Sequence, residues 1–593
     1  MADRGEREAD VWLSDEQLAQ LTRADEIEDL HLPIPTQMIS NGEYMPVAQT
    51  DEQKRVEARI KELADVASKK LGVSRRKFLA GTGGMAASFL AMNEVFGRFF
   101  NVEAAEMFEP EAHAKNGPPA DLFVLDDQMH MQRSREPGPL FFLAFAQGPT
   151  AKGSGFSANP LNPTGSAPDE FGNPWAVLNP ELVGKPITTD ELHLVNFIKE
   201  VFFDSQVTVA LLSNNTLGVF TPQGQPPRAP QNFTESQIAS GLTAAQTAAV
   251  RDFVNKLAGS QRMLAHGQLY PGVANLPYIE QQIADNKPDS WKGYTVSTSA
   301  KVDFDPHSPM RMWRLDDEAV AYPTYELITK HREQLRNHPG FWNICIHKGF
   351  SAAPFDDAEH GNPTDIPKAS RDWPHFNFII YHACYGGPFA PGQVTPFAWA
   401  GPMLGNVRAG VLRNGVPDIP WLTQFGQLCG NLRNVYAEIG STFATTAITF
   451  PTVCAHNLGQ LLKYFGENKI VFGSDCVYYG SPQWQIEALW RFEIPDQIRE
   501  QFGYPELTKA AKRKILGLNS ARLYKLPGAA EASAHGVYRP VPADYADHIP
   551  AALKTLLEFP GFASDEFSRR RSVYVAAGGD PSNERYGWVR TRV

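Results

Sequence analysis

Cysteine is scarce in this chain of 593 residues: Cys345, Cys384, Cys429, Cys454 and Cys476 make five, an odd number with no C-x-x-C pair. No disulfide framework is implied, and small buried apolar residues are a better description of these thiols than metal ligands. Positive charge is also short, with 55 Lys and Arg against 66 Asp and Glu and a net charge of -11. Neutralising phosphates requires a concentrated Lys/Arg surface, so no nucleic-acid partner is expected and a small-molecule substrate is. Long hydrophobic runs are missing as well. The nearest candidate, residues 80–91, is broken by glycines and followed by Asn93-Glu94, well short of the roughly 20 apolar residues that span a bilayer. No internal repeat of fixed period occurs. What remains, 42% hydrophobic and 20% charged residues, is enough to build a large core.

The weakly apolar stretch 80–91 follows Ser74-Arg75-Arg76-Lys77-Phe78-Leu79. This order resembles a twin-arginine export signal, in which a receptor reads the arginine pair and a modest apolar run follows. The resemblance implies the twin-arginine machinery as a partner and a periplasmic or extracellular location, with a cytoplasmic one as the alternative. It also implies folding before export, which suits unpaired cysteines. Small residues near 102–104 offer a cleavage site, although the leader before Ser74 is longer and more acidic than such signals carry. The spacing of Val56, Ile60, Leu63 and Val66 predicts a helix over 52–71.

From Asp121 the pattern becomes strand, loop, helix, repeated. Strands are predicted at 122–130, 207–212, 263–269, 294–302, 344–347, 376–382, 435–438 and 470–472. Between them lie helical patterns such as Leu194, Phe197, Ile198 and Val201 after a capping box at 188–191, and Leu458, Leu461, Leu462 and Phe465. Strands alternating with amphipathic helices imply parallel pairing, and eight units close an α/β (β/α)8 TIM-like barrel. The expected organisation is a polar leader (1–73), a signal segment (74–105), the barrel (106–526) and a loop-rich tail (527–593) with one helix at 550–557. The Pro/Gly/Asn-rich loops 147–186 and 221–230 are placed to cover the barrel mouth or to mediate contacts in a homo-oligomer.

Four of the apolar runs end on a group able to bind a metal or move a proton, as a barrel with its site at the strands' carboxyl ends requires. Gln128 and His130 lie two apart and so share a strand face. His347 offers a nitrogen donor after the fifth strand, and His382, near neutral pKa, can move protons. Asp475 is costly to bury unless paired or cation-bound. Glu438 can bind substrate or orient another side chain. His266 and Lys301 have no assigned role.

The stretches Asp126-x-Gln128-x-His130, Trp313-Arg-Leu-Asp-Asp with Ala321-Tyr-Pro-Thr-Tyr, Ile346-His347-Lys348-Gly349, 378–382, 434–438, Gly473-Ser-Asp475 and 519–524 together resemble the amidohydrolase-related superfamily. The branch is that of metal-dependent decarboxylases and hydrolases of aromatic or unsaturated carboxylic acids. The resemblance spans about 121–526. It implies one divalent ion, zinc or manganese, held by Gln128, His130, His347 and Asp475, with His382 and Asp475 handling protons and Glu438 near the substrate. Gln128 departs from the branch, which places His or a carboxylate there. Such an enzyme would hydrolyse or decarboxylate a small, carboxylate-bearing compound. Two rival readings are an exported, non-catalytic binding or scaffold protein on a degenerate barrel and a metal-independent enzyme using Cys384 as nucleophile.

Overall fold

The computed structural model describes residues 32–36, 39, 49–119, 121–131, 194–214, 242–295, 313–334, 340–349, 358–386 and 412–526. The loops at 147–186 and 221–230, the capping box at 188–191, Lys301 and the tail from 527 lie outside the described residues.

Eight parallel strands form the centre: β1 (Leu125–His130), β2 (Val209–Ser213), β3 (Met263–Gln268), β4 (Ser290–Tyr294), β5 (Asn343–His347), β6 (Asn377–Tyr381), β7 (Val435–Glu438) and β8 (Ile470–Val471). Each pairs with the next in chain order, and β8 returns to β1 through a parallel bridge between Met129 and Cys476. That bridge carries the ladder bonds Asp475 N to Gln128 O at 3.0 Å and Val477 N to His130 O at 3.2 Å. The expected TIM-like barrel is therefore the fold. Leu125, Val209, Leu211, Leu264, Ile379, Val471 and Tyr524 pack together as an apolar plug, which is why the barrel is a core rather than a pore.

One strand was misplaced by the apolar pattern. The fourth was expected at 294–302, but it is Ser290–Tyr294, paired through Trp291, Lys292, Gly293 and Tyr294 to β5. A lysine and a glycine in its interior hide the alternation that sequence reading depends on. The expected helix before the arginine pair is present: α1 covers Asp51–Leu71, opened by a Thr50/Gln53 capping box and closed by Gly72 in the left-handed region, with Val56 and Ile60 buried beside Ala64 and Ala67 while Val66 faces outward.

The arginine pair heads a short helix, α2 (Arg75–Leu79), with Ser74 as its N-cap, and α3 (Thr82–Phe96) follows. Arg75, Arg76 and Lys77 are exposed. By contrast Met85, Ala86, Ala87, Phe89, Ala91 and Met92 are buried in the main core, as befits a helix that is apolar nearly all round. The chain then reaches the outer helix Gln483–Arg491, where Asn101 N donates to Arg491 O at 2.7 Å and Phe100 bridges Phe492. Among the described residues no helix is long and apolar enough to cross a membrane.

Candidate active site

The edge where β8 meets β1 builds the first part of the site. The register of β1 shifts between Asp126 and Met129, a local bulge that lets consecutive polar residues turn inward. Asp126 Oδ1 accepts from Gln128 N at 3.2 Å and from Ser474 N at 2.9 Å, tying the two strand ends together. Burial pushes the Asp126 carboxyl up to about 7.

Gln128, His130 and Asp475 then meet as a triangle. Gln128 Nε2 donates to Asp475 Oδ1 at 2.9 Å and lies 3.3 Å from His130 Nε2, which is itself 3.1 Å from Asp475 Oδ1. The other Asp475 oxygen accepts from Ser441 Oγ at 2.5 Å, and that hydroxyl pairs with Tyr479 OH at 2.8 Å. Burial works to raise the Asp475 carboxyl, but His130, His382 and Ser441 together hold it well below the usual carboxylate range. It is ionised at neutral pH. Asp475 adopts φ 58, a left-handed conformation uncommon for a non-glycine residue and found preferentially at functional positions.

His382 forms the second part. It follows β6 with φ 60, and Ala383 and Cys384 stay left-handed behind it. Its backbone is clamped from both sides: His382 N donates to Glu438 Oε2 at 2.9 Å, and Thr442 Oγ1 donates to His382 O at 2.6 Å. Its ring lies against His347, with Nε2 and Nδ1 3.2 Å apart. Burial pushes the His382 imidazole down to about 3, so it is neutral. Ser441 N donates to His382 Nδ1 at 3.2 Å. Because a backbone N–H can only donate, the single ring proton sits on Nε2 and points at His347 Nδ1. His347, stacked on Tyr294 at 4.9 Å between centroids, reaches the triangle through His382.

Glu438 faces the protein rather than open space. Its second oxygen accepts from Gly440 N, and burial, helped by the nearby Asp475 charge, raises its carboxyl well above the ordinary value. It positions the turn that carries His382. A side chain at Gly440 would place Cβ 2.8 Å from Glu438 Oε1 and 2.9 Å from Gln128 Oε1, so glycine is what lets these two carbonyl-type oxygens share that corner.

Sequence reading missed four contributors. Ser441 and Tyr479 sit beside Asp475, where a serine at the start of the helix Gly440–Ala447 gave no signal. Lys292 is buried inside β4, its Nζ 3.5 Å from the Tyr381 ring centroid, and its charge bears on Asp127, His382 and Glu438. Tyr381 OH is 3.0 Å from His266 Nε2, whose Nδ1 is 2.8 Å from Ser290 Oγ. His266 is thus a hydrogen-bonded core histidine. Cys384 is fully buried and burial pushes its thiol up to about 12, which removes the thiolate a nucleophile would need.

The donor set can be tested against a divalent ion. Among the described residues no group of three His, Cys, Asp or Glu side chains is arranged to hold one, so the fit depends on Gln128 as the third donor beside His130 and Asp475. Donors about 2.1 Å from one ion and at right angles to each other lie about 3.0 Å apart, and tetrahedral ones about 3.4 Å. The edge between His130 Nε2 and Asp475 Oδ1, 3.1 Å, falls in that range, and the Gln128 amide lies beside both, its nitrogen 2.9 Å from Asp475 Oδ1 and 3.3 Å from His130 Nε2. Gln128 Oε1, moreover, is buried without a hydrogen-bond partner. The three residues fit one face of a coordination sphere, provided the amide offers its oxygen.

No curated protein matches the chain. Among solved structures, 2,6-dihydroxybenzoate decarboxylase from Rhizobium aligns with 13% identity over 68% of this chain and 99% of its own, TM-score 0.33. The 4-oxalomesaconate hydratase of Rhodopseudomonas palustris aligns with 13% identity over 70% and 98%, TM-score 0.33. The 5-carboxyvanillate decarboxylase of Novosphingobium aromaticivorans, a structure complexed with manganese, aligns with 11% identity over 69% and 98%, TM-score 0.34. Superpositions this loose carry no argument about activity. The family model described as amidohydrolase matches residues 293–526. Over that span, which holds His347, His382, Glu438 and Asp475 but neither Gln128 nor His130, the chain is similar to the amidohydrolases, and the similarity supports an amidohydrolase-fold enzyme.

Proposed function

We propose that the barrel is a divalent-metal-dependent hydrolase or decarboxylase, cleaving a C–C, C–N or C–O bond of a small, carboxylate-bearing substrate. One observation carries the reading: an ionised Asp475 and a neutral His382 converge at the strands' carboxyl ends, joined through Ser441, with both side chains buried. An ionised carboxylate beside an uncharged imidazole offers a proton acceptor and a ring N–H within one buried site. Gln128, His130 and Asp475 would hold the ion, zinc or manganese, with His347 a further donor if its ring is released from His382. When bound, the ion supplies Lewis-acid polarisation and charge stabilisation.

The residues of the chain account for the proton traffic. In hydrolysis, water adds to the substrate carbonyl, Asp475 takes the water's proton, and the proton returns to the leaving nitrogen or oxygen. In decarboxylation, the electron pair of the breaking C–C bond stays on carbon as carbon dioxide leaves, and a proton replaces it there. That proton comes from water, and the His382 Nε2–H directed at His347 Nδ1 orients the two rings beside the reacting carbon. Glu438 and Thr442 hold the His382 backbone so that this direction is kept. The test is a panel of small aromatic and unsaturated acids, amides and esters, read separately for carbon dioxide and for hydrolysis product, with wild type, Asp475→Asn and metal content measured together. Turnover that needs Asp475 and a stoichiometric ion is expected. A metal-free protein with no turnover on either readout would leave the scaffold reading in place.

We also propose export by the twin-arginine route, on the strength of the Ser74–Leu79 order and the exposure of Arg75 and Arg76. Replacing both arginines by lysine should retain the protein in the cytoplasm. Unchanged export would sink this assignment.

A further inference from the structure

The segment headed by Arg75 and Arg76 is built into the frame that holds Asp475. Phe99 to Asn101 run antiparallel beside the end of the outer helix Gln483–Arg491, with Asn101 N on Arg491 O and Glu493 N on Phe99 O, each at 2.7 Å. The Asn93 side chain fixes that stretch to α3, its oxygen accepting from Phe99 N at 3.0 Å and from Phe100 N at 2.9 Å. Phe100 packs between Phe89 of α3 and Phe492, with ring centroids 4.7 and 5.4 Å away. Trp490 Nε1 adds a bond to Asn116 O at 3.1 Å. From the other end of the same helix, Gln485 Nε2 donates to Ser474 O at 2.9 Å and Trp484 Nε1 to Tyr479 O at 3.1 Å. These two bonds bracket Asp475, and Tyr479 also reaches it through Ser441. A hydrogen-bonded helix of nine residues moves as one piece, so what holds one end sets the position of the other. α1 reaches a second support: Gln53 Nε2 donates at 3.3 Å to Thr449 Oγ1, just after the helix Gly440–Ala447 that carries Ser441.

We propose that residues 75–116 are a permanent brace of the site: they hold the outer helix and, through Gln485 and Trp484, the loop bearing Asp475, and they are kept in the exported enzyme. A leader made to be discarded has no need of a shape fitted to the rest of the fold. Here the fit extends to single atoms. A Cβ on Gly84 would lie 2.5 Å from Leu79 O, and one on Gly83 2.8 Å from Met107 O. These two glycines let α2, α3 and the turn at Ala104–Met107 close on one another. A cut near 102–104 would detach from the chain the partners of Arg491 O and of the Phe492 ring. The brace rests on the role given to Asp475 above, and its retention on the export reading.

Hydrogen exchange read by mass spectrometry on the full chain tests the brace, with wild type, Gly84→Val and Asn93→Ala. Both substitutions lie in α3, outside the site. Amides at 474–479 should exchange at least about tenfold faster in each variant, while those of β5 at 343–347, across the barrel, keep the wild-type rate. Unchanged exchange at 474–479 overturns the brace. Equal acceleration in β5 overturns it too, because that marks a general loosening. If neither variant folds, wild type alone decides: peptides holding Asn101 and Glu493 should be as protected as those holding Asp475 and Val477, and free exchange at Asn101 beside a protected Val477 refutes the coupling. Retention is read from the intact mass of protein exported by a host with the twin-arginine machinery. The exported chain should keep residues 75–104, and one beginning after 104 overturns retention. Failure of the underlying readings looks different. A protein that stays in the cytoplasm ends the export reading, and one without turnover ends the role of Asp475; the exchange pattern still decides the brace in both cases.

Discussion

Two of the buried clusters of charge among the described residues are organised by opposite rules. Between the N-terminal segment and the barrel, Arg491 engages all three of its nitrogens: Nε on Glu487 at 2.9 Å, Nη1 on Glu106 at 2.8 Å and on Asn101 O at 3.2 Å, with Nη2 3.2 Å from His113. At the barrel mouth, an ionised Asp475 shares a pocket with neutral His382, with Glu438 raised well above its ordinary value, and with a Gln128 oxygen that has no partner. The first cluster matches cation to anion and holds two parts of the chain together. The second leaves groups poised and backbone strained at His382 and Asp475, the pattern expected where chemistry rather than anchoring is selected.

The largest effect separating the two should come from Arg491→Met. It strands Glu106 and Glu487 in the interior, and breaking one side of a buried ion pair costs about 3–5 kcal/mol; a drop in thermal midpoint on the order of 10 °C is expected, read by calorimetry. Asp475→Asn should do the reverse, moving the midpoint by no more than about 2 °C while turnover falls at least about a hundredfold and bound metal is lost. A stable Arg491→Met, or an Asp475→Asn that unfolds the barrel, would erase the distinction.

A smaller effect concerns pH. Burial pushes His456, packed against Phe502 and Tyr504, down to about 4 from an ordinary 6.5. The folded state thus binds fewer protons than the unfolded one between these values. Stability from this group is complete above about pH 6.5 and is lost as pH falls toward 4, by up to about 3 kcal/mol. His456→Phe should flatten the dependence of the thermal midpoint on pH across that window; an unchanged slope would show that His456 does not contribute. The smallest effect is expected for Cys384→Ala, whose thiol is held protonated: turnover within about twofold of wild type, where a nucleophile would lose at least about a hundredfold.

The barrel was legible because its strands are apolar and end abruptly on polar groups: 343–347, 376–382 and 470–475 each announce a buried strand and its tip. Where a strand carries its own charge the signal fails, and Lys292 and Gly293 caused the fourth to be placed too late. The polar strand tips were legible residue by residue, but their pairing was not. Nothing in the spacing of Gln128 and Asp475, 347 positions apart, says that an amide hydrogen will face a carboxylate. Ser441 and Tyr479 were invisible because hydroxyls at helix starts and in loops are ordinary. The orientation of His382 toward His347 follows from one backbone N–H of Ser441, a donor that every residue but proline possesses.

The contact between Asn101 and Arg491 closes a loop of 390 residues. A ribosome adding about 5–20 residues each second takes about 20–80 s to make the second half of that contact after the first. Until then α3 can pack on α1, made before it, but the face of Phe89 that meets Arg491 has no partner. Arg491, reached late, is the residue that closes the Phe89 side of that helix against the barrel.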